Sequence, residues 1–149
     1  MAKYWEDYEV GAKAVSPGRT VTEADISIAL GIGRYTDPSM VDEEYAKTTI
    51  FKGRIAPGRF TIFIMGGLTR LCELIEPESV MALIEISSIR FRSPLRAGDT
   101  LRVELEITDK RETSKPDRGL IRHKESCKNQ RDEVVVEMDL LHLFKRRPK

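Results

Sequence analysis

The clearest hydrophobic pattern lies in the second half of the chain, where apolar and charged residues alternate. In residues 101–107 every second residue is apolar, which is typical of a strand that is buried on one face only. Three more segments are rich in strand-forming residues and are separated by turn-forming sequences. They are residues 80–91, 120–128 and 133–144. The pattern therefore predicts a meander of antiparallel strands.

The first half of the chain carries helical patterns instead. Thr22 stands where an N-cap is expected, and Asp25 follows three residues later, as a capping box requires. Gly31 and Gly33 predict the end of that helix. Asp42 predicts the cap of a second, short helix. Two capped helices are therefore expected before the middle of the chain.

A third and longer helix is predicted over residues 59–75. Its first half, residues 60–68, is apolar on nearly every face, which indicates a helix that is buried all round. Gly66 and Gly67 each cost about 1 kcal/mol of helix propensity, so they predict a close approach of the helix to a sheet or to a ligand. One long buried helix on an antiparallel sheet is an α+β arrangement. The length suits one domain over residues 1–149.

Composition and charge exclude several kinds of partner. The 25 basic and 24 acidic residues give a net charge of +1, which attracts neither nucleic acid nor an anionic membrane. The N-terminal residues contain no apolar signal-peptide core and no apolar run approaches the ~20 residues that span a bilayer, so a cytoplasmic location is expected. Cys72 and Cys127 match no metal-ligand spacing and are predicted to be buried thiols. Neither a metal nor a cofactor is predicted.

Several short parts of the chain share their order and spacing with one known family. They are residues 8–11, 19–26, 41–46, 55–58, 89–100 and 129–135, together with Phe51. In these segments the chain resembles the MaoC-like hydratases, which are hot-dog proteins, and the resemblance covers nearly the whole sequence. It implies a single hot-dog domain in which an antiparallel sheet wraps a long, buried central helix.

The resemblance also implies an activity and its partners. The family reversibly hydrates a trans-2-enoyl thioester of coenzyme A or acyl carrier protein to the (R)-3-hydroxyacyl thioester. Hot-dog domains commonly dimerise with the substrate tunnel at the interface, and some relatives combine active and degenerate subunits. The implied ligand is therefore an acyl thioester. The implied assembly is a homodimer or a hetero-assembly with a second hot-dog subunit.

The family's active-site signature is present only in part. It consists of an acidic residue, an Asn-Pro dipeptide and a His, followed by a glycine whose amide polarises the thioester carbonyl. In this sequence the acid falls on Tyr35, the dipeptide on Asp37 and Pro38, and the His on Met40. The glycine falls on Gly58, eighteen residues after Met40, as the family pattern requires.

The replaced residues cannot handle protons as the family's residues do. Hydration needs a base for the water proton and a proton for the α-carbon, and a His with a carboxylate provides both near neutral pH. Met40 has no titratable group, and the phenol of Tyr35 is a proton donor at neutral pH. The sequence therefore predicts a degenerate, non-catalytic subunit. It would bind an acyl thioester through the amide of Gly58 at a helix start, with Ile55, Pro57 and Gly66 also lining the ligand.

Two alternatives remain open. An active hydratase with altered chemistry would use Asp37 as a relocated base together with Tyr35, although an aspartate before a proline is also an ordinary turn residue. A thioesterase would use Glu73 or Asp37, and Glu73 is expected to be exposed late in the long helix. His123 and His142 are predicted to be packed or surface residues of strands.

Overall fold

The computed structural model describes residues 3–148. Two short strands and four α-helices come first, and four long strands follow. The helices are α1 (Glu23–Gly33), α2 (Pro38–Val41), α3 (Glu43–Thr48) and α4 (Gly58–Arg70). The strands are β1 (Lys13–Val15), β2 (Arg19–Thr20), β3 (Val80–Phe91), β4 (Thr100–Glu112), β5 (Arg118–Lys128) and β6 (Val134–Lys145). The predicted α+β class is confirmed.

The predicted helix caps are confirmed. The hydroxyl of Thr22 accepts a hydrogen bond from the backbone N–H of Asp25 at 3.1 Å, and the Asp25 carboxylate accepts one from the backbone N–H of Thr22 at 2.9 Å. Arg34 ends α1 in the left-handed conformation, with φ of 53°. The Asp42 carboxylate accepts a hydrogen bond from the N–H of Tyr45 at 3.0 Å at the start of α3. These side chains satisfy donors that a helix start leaves without partners.

The strand order differs from the predicted meander at one strand. The order is β1-β4-β5-β6-β3, and β2 also pairs with β4. Strands β4, β5 and β6 form the expected antiparallel meander. Strand β3 pairs with β6 and not with β4, because β1 and β2 occupy the other side of β4. Strand β3 therefore lies at an edge of the sheet.

Helix α4 is shorter and more one-sided than predicted. It ends at Arg70, and Glu73 already has a left-handed φ of 57°, which an α-helix does not accommodate. The buried face of α4 is formed by Thr61, Ile64, Met65, Leu68 and Thr69. On the opposite face Phe63 is 78% exposed. The buried central helix is confirmed, whereas burial on every face is wrong.

The core of the molecule lies between α4 and the sheet, where Met65 and Leu68 pack against Val103 and other strand residues. Cys72 and Cys127 are free and buried, as predicted. Burial raises the pKa of these thiols to about 11 and about 12. Among the described helices, none is long and apolar enough to cross a membrane.

Candidate functional site

A cavity of about 970 Å³ lies between α1, α4 and the sheet. Its volume is at the upper end of the range for small-molecule sites, and its walls are mostly apolar. The apolar side chains come from all three sides of the cavity and include Ile28, Ile32, Phe60, Ile62, Phe63, Leu83, Ile86, Met138 and Leu140. Such a cavity accommodates an extended apolar group such as an alkyl chain.

The missing side chains of Gly66 and Gly67 leave the α4 wall of the cavity open. Both glycines line the cavity, and a Cβ at either position would meet no other atom within 4 Å. A close approach of these glycines to the sheet, which was one expectation, is therefore wrong. Gly66 lies where a ligand-lining residue was predicted.

The start of α4 combines a free helix end with a tightly packed aromatic ring. Gly58 is the first residue of the helix, and the carbonyl of Pro57 accepts a hydrogen bond from the N–H of Phe60 at 3.0 Å. The N–H of Gly58 has no acceptor within the helix and lies at the positive end of the helix dipole. A Cβ at Gly58 would lie 2.7 Å from Cε1 of Phe91. The close packing of the Phe91 ring is by itself a reason for glycine at position 58. The role of the Gly58 amide in polarising a thioester carbonyl stays a prediction.

The residues that the resemblance assigns to the family's acid and base positions line different hollows of the molecule. Tyr35 is half-buried and lines the large cavity. Met40 and Ile55 line a separate surface depression of about 310 Å³. Asp37 is exposed at the start of α2, where its carboxylate makes no capping hydrogen bond. Tyr35, Asp37 and Met40 therefore do not share one cavity wall in this chain.

Glu73 lies apart from the cavity. It follows the end of α4 in an exposed position, with the left-handed backbone described above. The expected exposure is confirmed, and the expected place on the helix is wrong because α4 ends three residues earlier.

Three titratable side chains that the sequence analysis did not bring together meet at the wall of the cavity. His123 and Glu125 lie on β5 and His142 lies on β6, and all three are lining residues. Nε2 of His123 is 3.0 Å from Nδ1 of His142, and Nδ1 of His123 is 3.5 Å from Oε1 of Glu125. The predicted place of both histidines on strands is confirmed, and of the two expected environments, packed or surface, both have the packed one. We call this group the His-Glu-His cluster.

Burial sets the protonation of the His-Glu-His cluster. Desolvation raises the pKa of Glu125 to about 7. It lowers the pKa of His123 to about 3 and that of His142 to about 4, with a further lowering by the positive charge of Arg70. At neutral pH both imidazoles are therefore neutral, and the carboxyl is divided between its protonated and ionised forms. At neutral pH the cluster therefore offers two neutral imidazoles and one carboxyl that is ionised in part of the molecules.

Known proteins are similar to this chain in both sequence and architecture. The sequence profile of the MaoC like domain matches residues 8–129. The (R)-specific enoyl-CoA hydratase of Rhodospirillum rubrum is 37% identical over 107 residues, which cover 70% of this chain and 69% of that protein. The profile match covers the resembling segments between residues 8 and 129.

Two solved structures support the same assignment. The monoamine oxidase regulatory protein from Archaeoglobus fulgius superposes with a TM-score of 0.90 at 31% identity, covering 98% of this chain and 96% of that one. A conserved hypothetical protein from Mycobacterium tuberculosis with a double hot-dog fold superposes with a TM-score of 0.83 at 20% identity. That superposition covers 99% of this chain and 45% of that one, and it concerns the fold alone. The chain therefore belongs to the MaoC-like dehydratase family and has a hot-dog fold.

Proposed function

We propose that this chain binds an acyl thioester, with the acyl chain in the large cavity, and does not hydrate it on its own. The observation that carries the proposal is the mostly apolar cavity beside α4, whose wall contains a tyrosine where the family has an acid. The relationship to an (R)-specific enoyl-CoA hydratase supports a thioester of coenzyme A as the ligand. Acyl carrier protein is the alternative carrier of the same acyl group.

The positions of the titratable groups oppose catalysis by this chain alone. A positioned general acid or base contributes about 10²–10⁴ in rate, and Met40 supplies none while lying beside a different depression. Asp37 is exposed and does not line the large cavity. Glu125 is close enough to Thr69 for the hydroxyl to affect its pKa, and Thr69 follows Gly58 by eleven residues. The helix rise puts these two helix positions about 16 Å apart, so the His-Glu-His cluster does not replace the missing pair.

Binding in the cavity is tested by filling it from α4. Gly67→Leu places a side chain in the cavity, and we expect lauroyl-CoA to bind about tenfold more weakly or worse, which corresponds to about 1.4 kcal/mol. Gly31→Leu is the matched control, because Gly31 is also an exposed helical glycine with no atom within 4 Å of a Cβ, and it does not line the cavity. Calorimetric titration measures both. Equal affinity in the two variants would place the acyl chain elsewhere.

We further propose that the chain works as a pair of hot-dog subunits, either two copies or one copy with a second subunit that supplies the proton-handling residues. Support comes from β3, a twelve-residue edge strand. Its exposed apolar side chains are Met81, Leu83, Ile84, Ile86, Ile89 and Phe91. A long, apolar, unpaired edge is a template for pairing with another strand, and exposed apolar area of this kind marks protein interfaces.

A lysine substituted into edge strand β3 tests whether this strand forms the subunit interface. Light scattering during size-exclusion chromatography is expected to give a dimer for the wild type and a monomer for Ile84→Lys, because a lysine on an edge strand opposes edge pairing. Ile50→Lys is the control, since Ile50 is 88% exposed and lies outside the sheet. A monomeric wild type would contradict the homodimer and favour the second subunit. A dimeric Ile84→Lys variant would show that β3 is not the interface.

A further inference from the structure

The His-Glu-His cluster contains buried polar atoms without partners. His123 is fully buried, Glu125 is 1% exposed, and His142 is 7% exposed. Among the described residues, Nδ1 of His123 and both carboxyl oxygens of Glu125 have no hydrogen-bond partner. The hydroxyl of Thr69 lies near Glu125 but donates its single proton to the carbonyl of Met65 at 2.9 Å. Unpaired buried groups of this kind are costly, and a further hydrogen-bond partner would stabilise them.

The cluster is suited to an uncharged group that can both donate and accept a hydrogen bond. The 3.0 Å contact between His123 and His142 requires one neutral ring to donate and the other to accept, which leaves Nδ1 of His123 as a donor or an acceptor according to the tautomer. The carboxyl of Glu125 likewise donates when protonated and accepts in either form. A hydroxyl group matches both arrangements. An anion would meet the carboxyl of Glu125, and a cation would meet the guanidinium of Arg70, which also lines the cavity.

A metal ion does not fit the cluster. The two contacts of His123 use different ring nitrogens, Nε2 toward His142 and Nδ1 toward Glu125. These nitrogens point away from each other, so one ion cannot lie between both pairs. In residues 3–148 no group of three His, Cys, Asp or Glu side chains is arranged to hold a metal.

The position of the cluster indicates which part of a ligand it would meet. Glu125 lies near Thr69 at the C-terminal end of α4, about 16 Å along the helix from Gly58 at ~1.5 Å per residue. Gly66 and Gly67 keep the helix wall open between the two ends. A thioester held at Gly58 would therefore present the distal part of its acyl chain to the cluster, far from the 3-hydroxyl group that the family's reaction forms.

We propose that the His-Glu-His cluster binds a hydroxyl group on the distal part of the ligand's chain and so selects hydroxylated chains over plain alkyl chains. This inference rests on the proposed function, in which the cavity holds the acyl chain. A hydroxyl that reaches the cluster would complete the hydrogen bonding of Glu125 and His123. A plain alkyl chain would leave those atoms unpaired beside it, so the hydroxylated chain is favoured by about one net hydrogen bond.

The test compares ω-hydroxylauroyl-CoA with lauroyl-CoA on the wild-type protein. We expect the hydroxylated thioester to bind about 3- to 10-fold more tightly, which is the range for one net hydrogen bond. The chain has two histidines, and both belong to the cluster. Imidazole nitrogen resonances of histidine-labelled protein therefore report on this site alone. They should shift with the hydroxylated ligand beyond any shift that lauroyl-CoA causes.

Two substitutions at Glu125 show whether the carboxyl supplies the selectivity. Glu125→Gln keeps a donor and an acceptor of similar shape, and the preference for the hydroxylated ligand should remain within about threefold of the wild type. Glu125→Leu removes both, and lauroyl-CoA should then bind as tightly as the hydroxylated thioester. A preference that is unchanged in a folded Glu125→Leu variant would overturn the inference.

The remaining outcomes separate this inference from the proposed function. Equal affinities of the wild type for both thioesters, with the same imidazole shifts, would overturn the hydroxyl site and leave acyl-thioester binding intact. If neither thioester binds, the proposed function fails, and lauryl alcohol without a carrier decides the inference. Imidazole shifts with the alcohol would sustain the hydroxyl site, and unchanged imidazole resonances at saturating alcohol would overturn it.

Discussion

The two ends of helix α4 differ in how they carry chemistry. At its start, Gly58 keeps the spacing that the resemblance requires, and the positions to which the resemblance assigns proton handling hold Tyr35 and Met40. At its other end no family motif is present, yet Glu125 and the two histidines lie buried at the large cavity, which Tyr35 also lines and Gly58 and Met40 do not. A preserved motif spacing therefore indicates a preserved backbone scaffold. It does not determine which titratable side chains face the cavity, because the register of the strands decides that.

The two ends also suit different parts of one ligand. The start of α4 offers a free N–H at the positive end of the helix dipole, which suits a carbonyl oxygen. The other end offers neutral imidazoles and a carboxyl whose pKa burial raises to about 7. One apolar cavity connects Tyr35 with the His-Glu-His cluster. A thioester at one end and a distal hydroxyl at the other would use both.

The largest expected effect comes from restoring proton transfer at the start of α4. Tyr35→Asp combined with Met40→His should raise crotonyl-CoA hydration about 100-fold or more above the wild type where both new side chains reach the bound thioester, although Met40 itself lines a separate depression, because each positioned acid or base contributes about 10²–10⁴. Loss of the enoyl absorbance measures the rate. Tyr35→Asn with Met40→Gln has side chains of similar size without the proton chemistry and serves as the control. A folded double variant no faster than this control would mean that the separation of positions 35 and 40 persists in solution.

The second-largest expected effect is on the pH dependence of the free energy of unfolding, and it comes from Glu125 in the His-Glu-His cluster. The folded pKa of Glu125, about 7, lies above its ordinary value of 4.5, so the wild type loses stability as the pH rises from about 4.5 to about 7. The full difference is about 3 kcal/mol. Glu125→Gln does not titrate and should therefore gain about that much relative to the wild type between pH 4 and pH 8.

Urea unfolding at a series of pH values measures this difference. Glu9→Gln is the control for the change of a glutamate to a glutamine, since Glu9 is exposed. The histidines act in the opposite direction, since their lowered pKa values make the fold lose stability as the pH falls below about 6.5. Both histidines are present in the wild type and in Glu125→Gln, so their contributions largely cancel in the stability difference between the two proteins. A constant difference between the wild type and Glu125→Gln would show that Glu125 is not buried as described.

The smallest expected effect is on stability, and it comes from the glycines that leave the α4 wall of the cavity open. Gly67→Ala should raise the free energy of unfolding by about 1 kcal/mol, because alanine is the better helix former and its Cβ meets no protein atom within 4 Å. Gly119→Ala is the contrasting control, since its Cβ would lie 2.5 Å from the indole of Trp5 and the variant should be less stable. A loss of stability in Gly67→Ala would show that another protein surface packs on this face of α4.

Local chemistry made much of the fold predictable. The capping box of Thr22 and Asp25 and the alternation in β4 depend on residues close in sequence, and both were predicted correctly. The pairing of β3 with β6 could not be predicted, because it depends on β1 and β2 occupying the far side of β4. The end of α4 was placed too late because apolar residues continue past Arg70 into a turn that is also buried in part.

The His-Glu-His cluster was missed although a signal was present. Strand β5 alternates, and its buried positions include Ile121, His123, Glu125 and Cys127. Titratable residues at positions where an alternating strand is apolar indicate a buried polar site. His142 could not be added from sequence, because its approach to His123 depends on the register that places Leu140 opposite His123.

The most direct test of the account is made with the wild-type protein and crotonyl-CoA. Calorimetry is expected to detect binding, while the enoyl absorbance of the same sample stays constant over the time in which an active family member would turn it over. We expect the protein to bind crotonyl-CoA without hydrating it. Loss of enoyl absorbance that Asp37→Asn abolishes would contradict it and identify an active hydratase.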